Sequence, residues 1–384
     1  MAGPLAGIKV LEFESIGPAP FAGMLLADMG ADVLVIDRPA GTDLGLKRER
    51  WYDTMMRGKR SATLDLKNTT SKEVIYSLAE KADALIEGMR PGVMERLGIG
   101  PDEMLKINPK LVYGRMTGWG QTGPLASRAG HDINYIALTG ILNAIGRKGE
   151  APLPPLNLVG DFGGGGMLLG FGVACGLLEA SRSGKGQVID AAMVEGASLL
   201  ATMFHGFLNS NQMNENRGSN ILDSGAPWYN VYETKDGKHV SIGAIEERFY
   251  QEFLKRMQLA EADFPQHDRA KWPLQKAAFT AAFKAKTRDE WVKVFEGSDA
   301  CFAPVLSWSE APRHPHNRAR SAFVSVKRVE QPAPAPRFSR TPPEVRLPPP
   351  ERGEGGAQAL AEWGFDAGQV KRLTSLGLGF GEKK

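Results

Sequence analysis

The sequence predicts an α/β fold in which a large domain built on a parallel sheet is followed by a smaller α+β domain. Three observations lead to this prediction. The chain opens as a strand–helix–strand unit, the alternation of strands and helices continues through its first half, and a hairpin followed by amphipathic helices then replaces it. The length agrees, because 384 residues exceed the ~250–300 residues at which a single hydrophobic core stops growing.

The opening unit follows from the spacing of apolar residues. Residues 8–13 are apolar and β-prone, apolar side chains recur at helical spacing from 21 to 29, and 32–36 form a second apolar run. By the same criteria, further strands are predicted at 61–66, 84–87, 111–116 and 187–191, and helices at 71–81 and 161–181, of which the second is Gly-rich and buried. Such alternation is typical of a parallel sheet covered by helices.

The second half begins with a predicted helix at 194–214. Asp236-Gly237 then lies between two β-prone segments, 228–234 and 238–244, which is a strong hairpin signal. The prolines of 331–350 forbid a helix and predict an extended strap that returns the chain to the large domain. Further helices are predicted at 246–257, 271–285, 287–296, 356–363 and 367–373. The predicted bounds are 1–191 and 322–384 for the large domain, 192–219 for a linker helix, 220–308 for the small domain and 309–321 for a return linker.

Composition excludes several classes of function. With 47 basic and 44 acidic residues, the formal charge of +3 is too small to attract nucleic acid or a membrane surface, so neither is expected as a partner. The only cysteines, Cys175 and Cys301, lack metal-ligand spacing, which predicts neither a disulfide framework nor a metal site. The sequence shows no targeting segment and no run of about 18 apolar residues, so a cytoplasmic protein that does not span a membrane is predicted.

Two blocks of sequence carry candidate catalytic groups. In the first, Gly130-His131-Asp132 precedes apolar residues at helical spacing. This places His131 at a helix start, where N–H groups favour a developing anion and the amide of Asp132 is a candidate oxyanion donor. In the second, Asp161 lies between an apolar run and the glycines 163–166, in surroundings that raise the pKa of a carboxyl group. Each glycine costs a helix about 1 kcal/mol, so something is expected to approach the backbone there. By spacing alone, these polar residues are also explained as helix caps.

Further candidates follow predicted strands. Glu246 leaves the second strand of the hairpin and opens a helix, where it could pair with a histidine or serve as an N-terminal helix charge. The basic candidates for binding an anion are Arg38, Arg57, Lys59, Arg60, Lys67, Arg90 and Arg96. Several of them follow predicted strands, at the edge where open α/β sheets bind ligands, and suggest a phosphorylated ligand. Each alone is also consistent with a solvated surface charge.

Eight segments of the sequence together carry a family resemblance. They are SIGPAPFAGMLLADMGADVLVIDRP, RGKRSATLDLK, EGMRPGVMERLG, GWGQTGP, AGHDINY, PPLNLVGDFGGGGM, GKGQVIDAAMVEG and SIGAIEERFY. From residue 1 to about 340 the chain resembles the α-methylacyl-CoA racemases of the family III CoA-transferase superfamily. The resemblance implies a large Rossmann-like domain, a small domain, and two intertwined subunits that form a homodimer.

The resemblance also implies roles for individual residues. His131 is the base on one side of the α-carbon, Asp161 is the acid on the other, and Glu246 orients the histidine from the small domain of the other subunit. The implied reaction interconverts (2R)- and (2S)-2-methylacyl-CoA in fatty acid and lipid metabolism, through an enolate. It needs no cofactor beyond the CoA of the acyl-CoA substrate and no metal. The implied CoA contacts are Arg38, Leu64, Asp65, Leu66, Lys67, Gly88, Met89, Arg90, Arg96, Gly130, His131, Asp132, Ile133, Asn134 and Tyr135.

Other functions stay open at this point. The family's CoA-transferases use the equivalent aspartate as a nucleophile and form an anhydride, and the His131 block distinguishes the racemases from them. A dinucleotide-dependent dehydrogenase is disfavoured, because the first turn at 14–20 lacks G-x-G-x-x-G and contains Pro18 and Pro20. A non-catalytic interaction protein would tolerate the loss of His131. The sequence determines neither the acyl chain nor the role of the tail beyond about 345.

Overall fold

The structure is a computed structural model that describes residues 3–40 and 45–381. The described strands are β1 (Lys9–Phe13), β2 (Asp32–Asp37), β3 (Lys59–Thr63), β4 (Ala84–Glu87), β5 (Val112–Thr117), β6 (Val188–Ala192), β7 (Tyr229–Glu233), β8 (His239–Gly243), β9 (Phe302–Val305), β10 (Phe323–Val326) and β11 (Val329–Pro332). The described α-helices are α1 (Pro18–Asp28), α2 (Ser71–Ala79), α3 (Val93–Arg96), α4 (Pro101–Ile107), α5 (Asp132–Ala137), α6 (Ile141–Ala144), α7 (Met167–Ser183), α8 (Met193–Leu200), α9 (Thr202–Asn209), α10 (Glu247–Met257), α11 (Trp272–Phe283), α12 (Arg288–Phe295), α13 (Pro315–Ala319), α14 (Gly356–Glu362) and α15 (Ala367–Ser375).

The chain divides into two compact units. Within the described ranges, the first unit comprises Met1–Thr139, Leu156–Leu200 and Ser321–Lys384, and the second comprises Gly140–Pro155 and Ala201–Arg320. The domain and linker bounds given above stay a prediction.

The first unit is built on a six-stranded sheet in the order β3-β2-β1-β4-β5-β6. Every neighbouring pair in this sheet is parallel, which confirms the predicted α/β fold. The strand order reverses between β1 and β4. In open α/β sheets, ligands bind in the crevice outside the carboxyl ends of such a pair. The segments that follow β1 and β4 therefore lie where a ligand site is expected.

Apolar side chains cover both faces of this sheet. Alternate residues of a strand point to opposite faces, so Leu11 and Leu34 belong to one apolar cluster whereas Val10 and Val33 belong to the other. Helices α1 and α7 supply residues to the Val10 cluster, and helices α2 and α4 supply residues to the Leu11 cluster.

The C-terminal tail, which the sequence leaves unplaced, completes the Leu11 face. Leu360 of α14 and the adjoining Trp363 are 0% and 2% exposed and belong to the Leu11 cluster. Gly379 and Thr63 exchange two backbone hydrogen bonds of 2.8 Å, so the tail also covers the edge strand β3. The tail is therefore part of the core of the first unit.

Strand β3 begins two residues earlier than predicted, and its basic residues are buried. Lys59 donates to Glu12 over 2.7 Å, Arg60 pairs with Asp32, and Arg57 pairs with a buried carboxylate of α1. A buried charge of this kind is stable only because it is paired. These residues lie at the amino end of β3, away from the ligand edge. The prediction that Arg57, Lys59 and Arg60 bind an anion is therefore wrong.

The predicted helix at 161–181 is longer and less buried than expected. It begins as a π-helical segment, Leu158–Gly166, and continues as α7. Together they form an apolar helix of 26 residues, Leu158–Ser183, which is long and apolar enough to cross a membrane, a property that core helices of water-soluble proteins share. On its outer face, Phe171 and Leu178 are 68% and 54% exposed. The expectation of a fully buried helix is wrong for this face.

The second unit contains the antiparallel sheet β7-β8-β9, with α10, α11 and α12 packed against it. Its hairpin agrees with the Asp236-Gly237 signal. Strand β9 has no counterpart in the sequence prediction because Pro304 interrupts its pattern, and a proline is tolerated there since β9 is an edge strand. The helix predicted at 194–214 is in fact two helices, α8 and α9, which are separated at Ala201.

Candidate active site

His131 lies directly before the first residue of α5. Its backbone N–H donates to Oδ1 of Asn134 over 3.0 Å, and its carbonyl accepts from the Asn134 N–H over 2.8 Å. These two bonds fix the backbone at the helix entry. His131 itself is exposed, so its imidazole is accessible to a ligand.

Asp161 lies in the first turn of the π-helical segment, a rare conformation that frequently occurs at functional sites. Its Oδ2 accepts a hydrogen bond of 2.9 Å from Asn157. Burial raises the pKa of Asp161, the Asn157 hydrogen bond lowers it, the Asp132 carboxylate raises it, and His131 lowers it. The net pKa lies above the usual value, which suits a carboxyl group that must both donate and accept a proton.

The Asp132 carboxylate connects the two elements that carry the candidate catalytic residues. Its Oδ2 accepts from the backbone N–H groups of Gly160 and Asp161, over 2.7 and 2.8 Å. These donors lie in the first turn of the π-helical segment, where N–H groups lack partners inside the helix. Asp132 therefore positions Asp161 through its side chain, a role that sequence reasoning missed because it considered only the Asp132 amide.

The glycines after Asp161 are explained by packing against helices. A Cβ at Gly164 would collide with the backbone of Gly196 and Ala197 in α8, and a Cβ at Gly166 would lie 2.6 Å from the Pro18 carbonyl of α1. What approaches this backbone is thus the protein itself. The close packing holds the π-helical segment in place, so it serves the site indirectly.

The loop after β4 approaches the His131 block. The pKa of Tyr135 is raised to about 12, chiefly by burial and then by the Asp161 carboxylate, while the positive charge of Arg90 opposes this rise. The Tyr135 hydroxyl donates to the Gly130 carbonyl. The predicted CoA contacts Gly88–Arg90 and Gly130–Tyr135 therefore lie near each other.

Of the other predicted CoA contacts, Leu66, Lys67 and Arg96 line a cleft of about 270 Å³ beside α3. Its lining is Leu66, Lys67, Asn68, Thr69, Ser71, Lys72, Arg96, Leu97 and Ile99. Leu64 is only 1% exposed, whereas Asp65 is exposed. Arg38 is half-buried directly after β2. Among the described residues, no group of His, Cys, Asp and Glu could hold a metal ion.

A buried arginine that the sequence analysis missed organises two of these segments. Arg115 donates to Glu87 over 2.8 Å and binds both carboxylate oxygens of Glu95, over 2.6 and 3.2 Å. Glu87 in turn accepts the Met89 N–H over 2.6 Å. Arg115 thus holds the loop after β4 and the helix that carries Arg96. Its partners lie 28 and 20 residues away, so no local pattern reveals the cluster.

Glu246, the predicted orienting residue, belongs to the second unit. It directly precedes α10, is exposed, and its carbonyl accepts the backbone N–H groups of Phe249 and Tyr250. This placement leaves its carboxylate accessible. Its role toward a histidine of another subunit stays a prediction.

Known proteins are similar to this chain over almost its full length. A family model described as CoA-transferase family III matches residues 5–355. The proteins named alpha-methylacyl-CoA racemase from Mus musculus and Homo sapiens are 44% and 41% identical to it over 375 residues, which is 97% of this chain and 96% of each relative. The crystal structure of a CAIB/BAIF family protein from Brucella suis superposes with a TM-score of 0.80 at 26% identity, and covers 94% of this chain and 100% of that chain. The chain therefore belongs to CoA-transferase family III.

Proposed function

We propose that this protein is an α-methylacyl-CoA racemase that moves the α-proton of a 2-methylacyl-CoA between His131 and Asp161. The observation that carries the proposal is the convergence of these two titratable side chains from separate elements, with the pKa of Asp161 raised by burial. Pairs of acid and base groups whose environments shift their pKa values mark sites of proton transfer. The identity of 44% to a protein named as a racemase supports the same reaction.

The proposed reaction passes through an enolate. His131 takes the proton from C2, and the electron pair of that C–H bond moves toward the thioester oxygen, where the Asp132 amide stabilises the negative charge. Asp161 then protonates C2 on the opposite face. The product leaves His131 protonated and Asp161 ionised, which is the form that catalyses the reverse direction. Exchange of both protons with solvent resets the pair.

Uptake of solvent deuterium tests this proposal. In D2O, the protein is expected to incorporate deuterium at C2 of a 2-methylacyl-CoA and to racemise it with no carboxylic acid present, because Asp161 exchanges its proton with solvent between turnovers. Mass spectrometry and chiral analysis of the acyl group measure both results. Transfer of CoA to an added carboxylic acid without label at C2 would instead indicate a transferase with Asp161 as the nucleophile.

The Asn157→Ala substitution is expected to move the acidic limb of the pH–rate profile to higher pH. In either direction the active pair holds one proton, so the rate falls when both groups become protonated. The Asn157 hydrogen bond lowers the pKa of Asp161, and its loss lets Asp161 stay protonated to higher pH. The measurement is kcat/KM for deuterium exchange as a function of pH.

Asp132→Asn is the matched variant, for which the acidic limb is expected to shift in the opposite direction. It removes a negative charge that raises the pKa of Asp161, so the acidic limb is expected to move to lower pH. Shifts in the same direction for both variants would rule out this electrostatic assignment.

We further propose that two chains form an intertwined homodimer in which Glu246 of one chain orients His131 of the other. The exposed apolar face of the Leu158–Ser183 helix supports this, since Phe171 is 68% exposed and Leu199 of the neighbouring α8 is 62% exposed. Exposed apolar surface on this scale is typical of an interface. Sedimentation analysis of the detergent-free protein is expected to give the mass of two chains, and a monomer would contradict the proposal.

We propose that the protein acts in fatty acid metabolism in the cytoplasm and needs no cofactor or metal besides the CoA of its substrate. The acid–base pair supports the expectation that no cofactor is needed, because proton transfer requires no redox group. Dialysis against EDTA is expected to leave the rate of deuterium exchange unchanged.

The acyl group of the substrate is a separate question. A comparison of activity toward branched fatty acyl, sterol side-chain and 2-arylpropionyl thioesters identifies it.

A further inference from the structure

Both backbone polar groups of Arg38 are held by side chains from distant parts of the sequence. The Arg38 N–H donates to Oε2 of Glu14 over 2.8 Å, and the Arg38 carbonyl accepts from Nη1 of Arg352 over 2.8 Å. Arg38 is the first residue after β2, so it lies at the carboxyl edge of the sheet. With both groups bound, its backbone has a fixed orientation at the edge where ligands bind.

Glu14 and Arg352 also bind each other. Nη2 of Arg352 donates to Oε1 of Glu14 over 2.6 Å and Nη1 donates to Oε2 over 3.1 Å, a two-pronged geometry that a guanidinium provides and an ammonium does not. Burial by itself would raise the pKa of Glu14, but the hydrogen bonds from Arg352 and from the Arg38 N–H outweigh burial and hold this pKa below its usual value. The cluster is therefore charged at neutral pH.

The segment that carries Arg352 has further anchors besides the Arg352 side chain, whose Nη1 also lies 3.6 Å from Oδ1 of Asp37. The N–H of Gly353 donates to Oγ of Ser61 over 2.8 Å, and the carbonyl of Pro350 accepts from Arg50 over 3.0 Å. Both anchors, Ser61 and Arg50, also bind Oδ2 of Asp37, each over 2.5 Å. The chain on either side of Arg352 therefore has anchors that do not use the Arg352 side chain.

We propose that Arg352 is a positioning residue for the nucleotide half of CoA and acts through the backbone of Arg38. The inference rests on the proposed function in one respect, namely that the ligand is a CoA thioester whose phosphates the Arg38 side chain meets. A guanidinium binds a phosphate in a bidentate geometry that requires a defined orientation. The orientation of the Arg38 backbone is therefore expected to affect the affinity for CoA. His131 and Asp161 act on the acyl end of the molecule. Arg352 is therefore expected to affect nucleotide binding and to leave proton transfer unchanged.

Titration calorimetry with CoA and with pantetheine, which lacks the nucleotide, tests this role. Arg352→Gln is expected to raise the Kd for CoA on the order of tenfold and to leave the Kd for pantetheine unchanged. In deuterium exchange, KM for the acyl-CoA should rise while kcat stays within about twofold. Arg352→Lys should restore part of the affinity for CoA. An ammonium can still donate to the Arg38 carbonyl but cannot also form a bidentate pair with Glu14.

Arg346→Gln is the matched control. Arg346 lies in the proline-rich strap shortly before Arg352, but its guanidinium donates to the Ala31 carbonyl, which precedes β2 at the amino end of that strand. This variant is expected to bind CoA like the wild type. Glu14→Gln keeps an acceptor for the Arg38 N–H but loses the ion pair, so it should weaken CoA binding, and the double variant with Arg352→Gln should bind no more weakly than the weaker single variant.

Three results would overturn the inference, given thermal unfolding curves that show folded variants. They are wild-type CoA affinity in Arg352→Gln, an equal loss of affinity for pantetheine, and an equal loss in Arg346→Gln. Calorimetry does not depend on the reaction, so the two proposals can fail separately. A wild-type protein that catalyses no exchange but shows the expected pattern of CoA affinities would contradict the racemase function and support the role of Arg352.

Discussion

Asp161→Asn is expected to slow both deuterium uptake and racemisation by at least about 10²-fold, and up to about 10⁴-fold, because an amide cannot supply the proton to C2. The substitution keeps the shape of the side chain, and the Asn157 amide can still donate to its oxygen. The lost interaction exists only in the transition state. Therefore kcat and kcat/KM should fall together, while the Kd for CoA stays unchanged.

Two further variants serve as comparisons for Asp161→Asn. His131→Asn should reduce the rate by a similar factor, and the double variant should be little worse than either single variant, because the two residues act as a unit. Asp102→Asn changes an exposed carboxylate in the first turn of α4 and should keep the wild-type rate. Full racemisation by Asp161→Asn would remove this residue from the mechanism.

Trp363→Ala is expected to lower the free energy of unfolding by about 3–5 kcal/mol. The indole is 2% exposed within the Leu11 cluster, and its Nε1 donates to Asp32 over 2.8 Å. The substitution leaves a cavity and removes one of the two hydrogen bonds to Oδ2 of Asp32, which stays paired with Arg60. Urea denaturation followed by circular dichroism measures the change.

Gln358→Ala is the matched control for the tail. Gln358 is exposed on α14, the helix that Trp363 directly follows, and its amide binds only Glu362 within the described residues, so its loss should change stability by less than about 0.5 kcal/mol. Trp363→Phe should lie between the two, since it keeps most of the apolar area and loses the hydrogen bond. Wild-type stability in Trp363→Ala would mean that the tail contributes nothing to the core.

The central strands could be predicted from the sequence, whereas an edge strand could only be approximated. Strand β4 has the predicted bounds, and β1 and β2 differ from them by one residue at one end, because buried strands are apolar on both faces. Strand β3 opens with Lys59 and Arg60, which read as a turn or surface segment. Their burial depends on carboxylates from β1 and β2, and a local pattern contains no information about such pairs.

The candidate catalytic residues could be predicted from the sequence, whereas the residues that position them could not. His131 and Asp161 stand in segments with a distinctive sequence. The Asp132 carboxylate reaches the π-helical segment 28 residues further on, and the change from α to π winding has no signature in composition. Arg352 follows a proline-rich strap, where the sequence suggests that a basic side chain is solvated. Its partner Glu14 lies 338 residues earlier, so no local pattern reveals the pair.

The late position of Arg352 affects how the protein matures during synthesis. A ribosome that adds about 5–20 residues per second takes roughly 17–70 s to make the 338 positions that separate Glu14 from Arg352. The proposed proton-transfer pair, His131 and Asp161, is complete once Asp161 has been made. The Leu11 face of the sheet, however, lacks the cover of Trp363 until the tail has been made, and the Arg38 carbonyl lacks its hydrogen bond from Arg352. A nascent chain therefore carries His131 and Asp161 before the Arg38 backbone is fixed and before this face of the sheet is fully covered.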